Sequence, residues 1–359
     1  MALRQNGNAA CTPVGPELVA GREVVVKRLC LLVMCLGVPV HAQAQATLPT
    51  NDNPPSFHDG AAIGATVGET PTTTTFKAGV DLVALNVVVT DSAEKFVAGL
   101  ASSDFAVFED GVQQDVSFFG TNDVPLDLAI LLDTSASMSD KLQTAQQAAI
   151  GFVSSLRHGD RVSIIDIKDA TRVLFPMSED MTGARDSILA TTARGGTALY
   201  NGTYLALKEM TKLRRASGEV RRQAMVVLSD GADTASLISY DDVLELAKES
   251  GIAIYTISLR SKLDVMRAAQ GGHRYFSQSD FGMKELAQET GAKSFFPTDI
   301  SELAGVYSSI AQELASQYAL GYMSKNSKKD GGYRRVIVRV NEPNVRTRTR
   351  NGYLAARNR

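Results

Sequence analysis

Between residues 126 and 316 short apolar runs alternate with helical stripes, and that alternation restricts the fold more than any other feature of this sequence. The runs are "LDLAILL", "RVSIIDI", "TRVLF", "QAMVVLS", "GIAIYTISL" and "AKSFF". Most are near-continuously apolar, the pattern of parallel strands covered on both faces. Between them, Leu142, Ala145, Ala149, Phe152, Val153 and Leu156 keep to one stripe of a helix predicted over 140–157. "GTYLALKEMTKLRR", "YDDVLELAKES" and "MKELAQET" read as further helices, with Gly251 and Gly291 at the left-handed positions that close two of them. The expectation is an α/β fold with a doubly wound, mostly parallel six-stranded sheet. Such sheets bind ligands beyond the carboxyl ends of their strands. Asp133 ends one run there and Asp230 follows another.

The flanks are β in character. "VDLVALNVVVTD" is dominated by branched residues, and "FAVFEDGVQQDVSFF" alternates around Asp110-Gly111, a pair suited to a tight hairpin. Beyond the α/β region, "QYALGYM", "GYRRVIVRVNE" and "VRTRTRNGY" read as strands, the first two joined by a turn at 328–332. Two or three strands are not stable alone. Residues 76–122 and 318–355 are therefore expected to pair into one β-sandwich, with the 126–316 segment inserted between them. Arginines 335, 339, 346, 348 and 350 fall largely at period two, which reads as one solvated sheet face. Residues 260–282 interrupt the alternation and are expected to form a surface excursion.

At the N-terminus Arg22, Lys27 and Arg28 precede "LCLLVMCLGVPV" and then "HAQAQA". A basic segment, a short apolar core and alternating small residues describe a secretory signal peptide, expected over 1–44, because the core is too short to span a bilayer. The Thr- and Pro-rich stretch 45–75 reads as a flexible linker. Cys11, Cys30 and Cys35 all precede the expected cleavage near Ala44, so the mature chain would carry no thiol. The expected destination is periplasm, cell surface or medium, with no transmembrane span in the mature chain. A formal net charge of −2 does not suit general nucleic-acid binding.

Three segments would converge at the strand ends: Asp133-Thr-Ser135-Ala-Ser137, "RGGTALYNG" with Thr197, and "LSDGADTAS" with Asp230. They offer two acids and three hydroxyls. An oxygen-only set suits a hard divalent ion, Mg²⁺, Mn²⁺ or Ca²⁺, and not a dedicated zinc or copper site. In a tight turn after a strand, Ser135 and Ser137 can point to one side and share an ion. Asp133 and Asp230 would then act through water and orient the hydroxyls. Simpler readings compete: Ser135 and Ser137 as caps of the next helix, and Gly195-Gly196 and Asp230-Gly231 as plain turns. The four histidines (41, 58, 158 and 273) are scattered without ligand spacing.

In order and spacing, Asp133, Ser135, Ser137, Thr197 and Asp230 resemble the metal-ion-dependent adhesion site of von Willebrand factor A domains: D-x-S-x-S, a downstream Thr, and an Asp in a D-G turn. The flanking "DFAVFEDG" and "QYALGY…GYRR" are similar to those of exported bacterial proteins of this kind first noted in acidobacteria. The resemblance implies the Rossmann-like sheet of that family. It further implies direct ligation by Ser135, Ser137 and Thr197, with the acids partly through water. Mg²⁺ is the ion foremost among the hard divalent cations. A first shell made largely of neutral oxygens leaves the ion attractive to an outside carboxylate, so the implied partner is a protein with an exposed Asp or Glu. The implied function is an adhesion or scaffolding module and not an enzyme. The alternative is a metal-dependent hydrolase of the phosphatase type. That chemistry generally needs a second acid two residues after Asp133, where Ser135 stands, and no general base is at hand. A role beside a motor-driven chelatase or chaperone would be cytoplasmic, against the export signal.

Overall fold

A computed structural model describes residues 82–121, 123–217, 219–230, 233–259 and 277–357. The expected signal peptide with its three cysteines, the linker, residues 76–81 of the first sandwich segment, Gly231 and residues 260–276 lie outside the described residues.

Four strands open the described chain: β1 (Leu82–Thr90), β2 (Phe105–Glu109), β3 (Val112–Gln114) and β4 (Val116–Gly120). The α/β segment follows, with β5 (Leu126–Asp133), α1 (Leu142–Ser154), β6 (Arg161–Ile167), β7 (Arg172–Ser178), α2 (Met181–Leu189) and α3 (Leu199–Ser217). It continues through β8 (Arg222–Ser229), α4 (Tyr240–Ser250), β9 (Ala253–Ser258), α5 (Gln278–Glu289), β10 (Ser294–Phe295) and α6 (Leu303–Ala315). Four strands close it: β11 (Tyr318–Met323), β12 (Tyr333–Val340), β13 (Arg346–Arg348) and β14 (Gly352–Leu354).

The central sheet has the order β10-β9-β8-β5-β6-β7. All its pairings are parallel except β6 with β7. In β5, Leu128, Ile130 and Leu132 pack into the layer of α1, α2 and α6, while Ala129 and Leu131 pack into that of α3, α4 and α5. Two covered faces explain why the strand is apolar at nearly every position. Each such aliphatic side chain contributes about 1.5–3 kcal/mol by leaving water. β7 runs through Pro176 to Ser178, beyond the "TRVLF" run, because an antiparallel edge strand tolerates a missing N–H. Chain order reverses at β5: the sheet grows one way through β6 and β7, then the other through β8 and β9. The ends of β5 and β8 thus flank the switch point. Among the described residues no helix is long and apolar enough to cross a membrane.

The outer strands form two antiparallel sheets, β13-β1-β11-β4 and β14-β12-β2-β3. Val83, Leu85, Val87, Leu320 and Tyr322 meet Val107, Val336 and Val338 in one core between them. N-terminal and C-terminal strands thus interleave, with β1 on β11 and β2 on β12. Asp110 and Gly111 turn the β2–β3 hairpin at φ 48° and 85°, as the expected tight turn requires.

Glu109, 2% exposed, lies where the two flanking motifs meet. Its carboxylate accepts hydrogen bonds from the hydroxyls of Tyr322 and Tyr353, both at 2.8 Å, and from Ser324 at 2.5 Å. The buried Arg334 guanidinium lies 3.5 Å away. Burial, reinforced by this carboxylate, pushes the Tyr353 hydroxyl up to about 12.

The arginine face needs correction. Arg335, Arg339 and Arg346 are exposed as expected, but Arg348 is only partly so and Arg350 is 8% exposed. From the end of β13 the chain turns in against the α/β segment. There Arg348 pairs with Glu313 at 2.5 Å, and Arg350 stacks on the Tyr353 ring at 5.1 Å. Helix boundaries also shift. α1 covers 142–154 where 140–157 was expected, and α5 starts at Gln278, inside the expected excursion, because Ser277 caps it through the Asp280 N–H.

Gly291, just past α5, has φ 77°, and a Cβ there would lie 2.3 Å from the Arg350 nitrogen. That neighbour is backbone and cannot swing aside. Gly291→Ala is expected to cost about 2–4 kcal/mol, combining left-handed strain with overpacking. Urea unfolding measures it, and a loss below about 0.5 kcal/mol would mean the two segments part easily at this point.

Candidate functional site

β5 and β8 deliver the two acids to the switch point side by side. Asp133, 1% exposed, accepts the Ser135 N–H on Oδ1 at 2.9 Å and the Ser229 hydroxyl on Oδ2 at 2.6 Å. Burial pushes its carboxyl above the usual range; the two serine contacts oppose the rise, and the neighbouring Asp230 charge adds to it. Asp230, 2% exposed, accepts the Ser137 hydroxyl on Oδ1 at 2.6 Å, and the Lys141 ammonium reaches Oδ2 at 2.5 Å. Ser135 Oγ and Ser137 Oγ are 2.9 Å apart. Since Ser137 has one proton and spends it on Asp230, Ser135 is the donor in that contact. The result is a directed chain, Ser135 to Ser137 to Asp230.

The serines do not cap a helix. Ser135 precedes a 3-10 turn at Ala136–Met138 without a side-chain cap bond, and Lys141 occupies the N-cap position of α1, again without one. The capping alternative therefore lacks its defining contact.

Thr197 comes to the same strand ends through its loop. Ala136 N–H donates to the Gly195 carbonyl at 3.0 Å, and Arg194 N–H to the Thr134 carbonyl at 2.9 Å, so the threonine loop is laced to the serine loop. Thr197, 4% exposed, donates its N–H to Thr234 Oγ1 at 3.0 Å, and its carbonyl accepts from Thr234 and Ala235. Gly195, at φ 73°, lies so close to Asp169 that a Cβ would meet its carboxylate at 2.1 Å. The left-handed backbone at Gly195 is what calls for glycine there, beyond a plain turn.

Several site residues gave no signal as such in the sequence. Ser229 fixes Asp133, and Lys141 engages Asp230. Thr134 donates to Asp166, whose other oxygen pairs with Lys168 at 2.6 Å. Asp233 accepts the Tyr200 N–H at the start of α3, at 2.9 Å. Of these, Ser229 and Asp233 stand beside Asp230 in "LSDGAD", the only hint available. Among the described residues no group of three or more His, Cys, Asp or Glu is placed to hold a metal ion.

A doubly wound α/β unit with acid- and hydroxyl-bearing loops at its switch point defines a class of ligand-binding domain. Residues 127–307 match the von Willebrand factor type A domain model, and the chain belongs to that family. Members of the family generally mediate protein–protein interaction. An uncharacterized protein of Borreliella burgdorferi is 23% identical over 229 residues, covering 61% of this chain and 63% of that one. A UPF0353 protein of Mycolicibacterium paratuberculosis is 25% identical over 224 residues, covering 59% and 66%. The matches thus span less than two thirds of either relative. Similar solved structures include the vWF domain of the type V pili tip protein Mfa5 from Porphyromonas gingivalis, with TM-score 0.41, 15% identity, and coverage of 53% of this chain and 94% of that one. Proximal thread matrix protein 1 from the mussel byssus, with a zinc occupied MIDAS motif, has TM-score 0.44, 15% identity, and coverage of 58% and 50%.

Proposed function

We propose that this chain is an exported protein-binding module, for adhesion or scaffolding, that captures an acidic residue of a partner protein through a divalent cation. Ser135, Ser137 and Thr197 would hold the ion, with Asp133 and Asp230 acting mainly from behind the hydroxyls. The observation that carries this reading is the pair of serine oxygens 2.9 Å apart, not used for capping and backed by Asp230. The oxygen-only donor set suits a hard divalent ion, Mg²⁺ foremost with Mn²⁺ or Ca²⁺ also compatible. Both acids have their oxygens engaged by protein donors, as groups that orient hydroxyls would. When bound, the ion supplies Lewis-acid attraction for an incoming carboxylate. Export is supported by the leader-like segment at 1–44.

Calorimetric titration of the full chain with Mg²⁺ and Mn²⁺ tests the reading. Saturable binding of one ion, reversed by EDTA, is expected, and the absence of any binding heat or thermal shift, in the wild type and in variants that keep Ser135, Ser137 and Thr197, would end it. A phosphatase and peptidase substrate screen with Mg²⁺ separates the hydrolase alternative. No metal-dependent turnover is expected, since Asp133 is buried and both its oxygens already accept hydrogen bonds. Turnover lost in Asp133→Asn would reverse the assignment.

A further inference from the structure

The Lys141 ammonium lies at the one oxygen of Asp230 that Ser137 leaves open. Ser137 donates to Oδ1 at 2.6 Å and Lys141 to Oδ2 at 2.5 Å. The Asp230 side chain is fully buried and that of Lys141 is 15% exposed, so solvent does little to screen the pair. Lys141 is held there by its place in the chain. It takes the N-cap position of α1, its N–H donates to the Met138 carbonyl at 2.9 Å, and its own carbonyl accepts from Ala145 at 3.0 Å. A charged amine is an odd choice at a helix N-terminus, where the macrodipole disfavours positive charge. The pairing with Asp230 gives it a reason.

We infer that Lys141 is a built-in competitor for the cation: a positioning residue that occupies Asp230 and holds down the divalent-ion affinity of the Ser135–Ser137–Thr197 site. This inference rests on the metal-binding reading above and adds what tunes it. The physics is Coulombic. Asp230 is the acid that accepts the Ser137 hydroxyl. With its charge balanced by the ammonium, it contributes little attraction to a second cation, and the ammonium itself repels that cation across a poorly screened interior. The ion then binds weakly to the chain alone. A carboxylate brought by a partner restores the missing negative charge, which makes ion and partner mutually reinforcing ligands.

The test is Mn²⁺ calorimetry on the full-length wild type, Lys141→Met and Lys141→Arg, with circular dichroism melts in EDTA as the fold control. Lys141→Met keeps the stem and removes the charge. It is expected to tighten Mn²⁺ binding about tenfold or more, within the usual range of coupling between adjacent ligands. Lys141→Arg keeps the charge and should stay within about threefold of wild type. Binding in Lys141→Met where wild type shows none would also support the inference. Unchanged or weaker binding in Lys141→Met, beside a wild type that binds, overturns the competitor role and leaves the metal-binding reading standing. No binding in either protein removes both. If Lys141→Met melts early in EDTA, Lys141→Gln replaces it under the same criteria.

Discussion

Replacing Ser135 and Ser137 together by alanine is expected to abolish divalent-cation binding, with a loss of at least ~100-fold in affinity, while leaving the melting curve of the chain nearly in place. The two halves of this result have separate causes. Affinity falls because two of the three neutral oxygens are removed, and because Asp230 loses the hydroxyl it orients. Stability holds because neither serine caps a helix, so the fold forfeits only the short chain from Ser135 to Asp230. Removing those hydroxyls is expected to cost about 1 kcal/mol or less in unfolding free energy. Mn²⁺ titration and urea denaturation of the same preparation read both quantities. Undiminished affinity would place the ion elsewhere, and a collapsed fold would show the hydroxyls to be structural.

The largest stability effect is expected in the sandwich. Glu109→Ala removes the acceptor of three hydroxyls and the buried carboxylate beside the Arg334 guanidinium, whose side chain is 3% exposed and which keeps the carbonyls of Asn326 and Lys328 and the more exposed Asp330 carboxylate. Breaking a buried ion pair from one side costs about 3–5 kcal/mol. Replacing both partners, Glu109→Met with Arg334→Met, is expected to recover most of that loss, because no uncompensated charge stays behind. Chemical denaturation of the single and double variants checks the pair. A cost under about 1 kcal/mol for Glu109→Ala would mean water reaches the cluster.

Much of this architecture was legible from periodicity. Continuous apolar runs marked the parallel strands because both faces of β5 and β8 are covered. β12 alternates because only one face is. The five candidate positions stand out in the sequence as a spaced pattern; in the structure Asp133 is hydrogen-bonded to Ser135, Ser135 to Ser137 and Ser137 to Asp230, and the loop of Thr197 is laced to the serine loop. What stayed hidden depends on contacts between distant segments. Nothing local in "RTRTR" shows that Arg348 turns in to Glu313 while Arg346 stays out. α2 and α6 also went unread, although Leu303, Tyr307, Ile310 and Leu314 carry an apolar stripe in α6. Lys141 was invisible because a lysine before a helix is usually solvated. Its role appears only once β8 places Asp230 beside it.

The interleaving of early and late strands sets the timetable on which this chain acquires its shape. Glu109 waits for Tyr322, 213 residues later, and at ~5–20 residues per second a ribosome supplies that partner after about ten to forty seconds. The α/β segment, whose strands and helices are contiguous, can meanwhile fold behind an unfinished pair of β edges. Those edges are sticky until the last strands arrive, so the nascent chain is most exposed to aggregation in that interval, and a chaperone that shields β1 and β4 would act there.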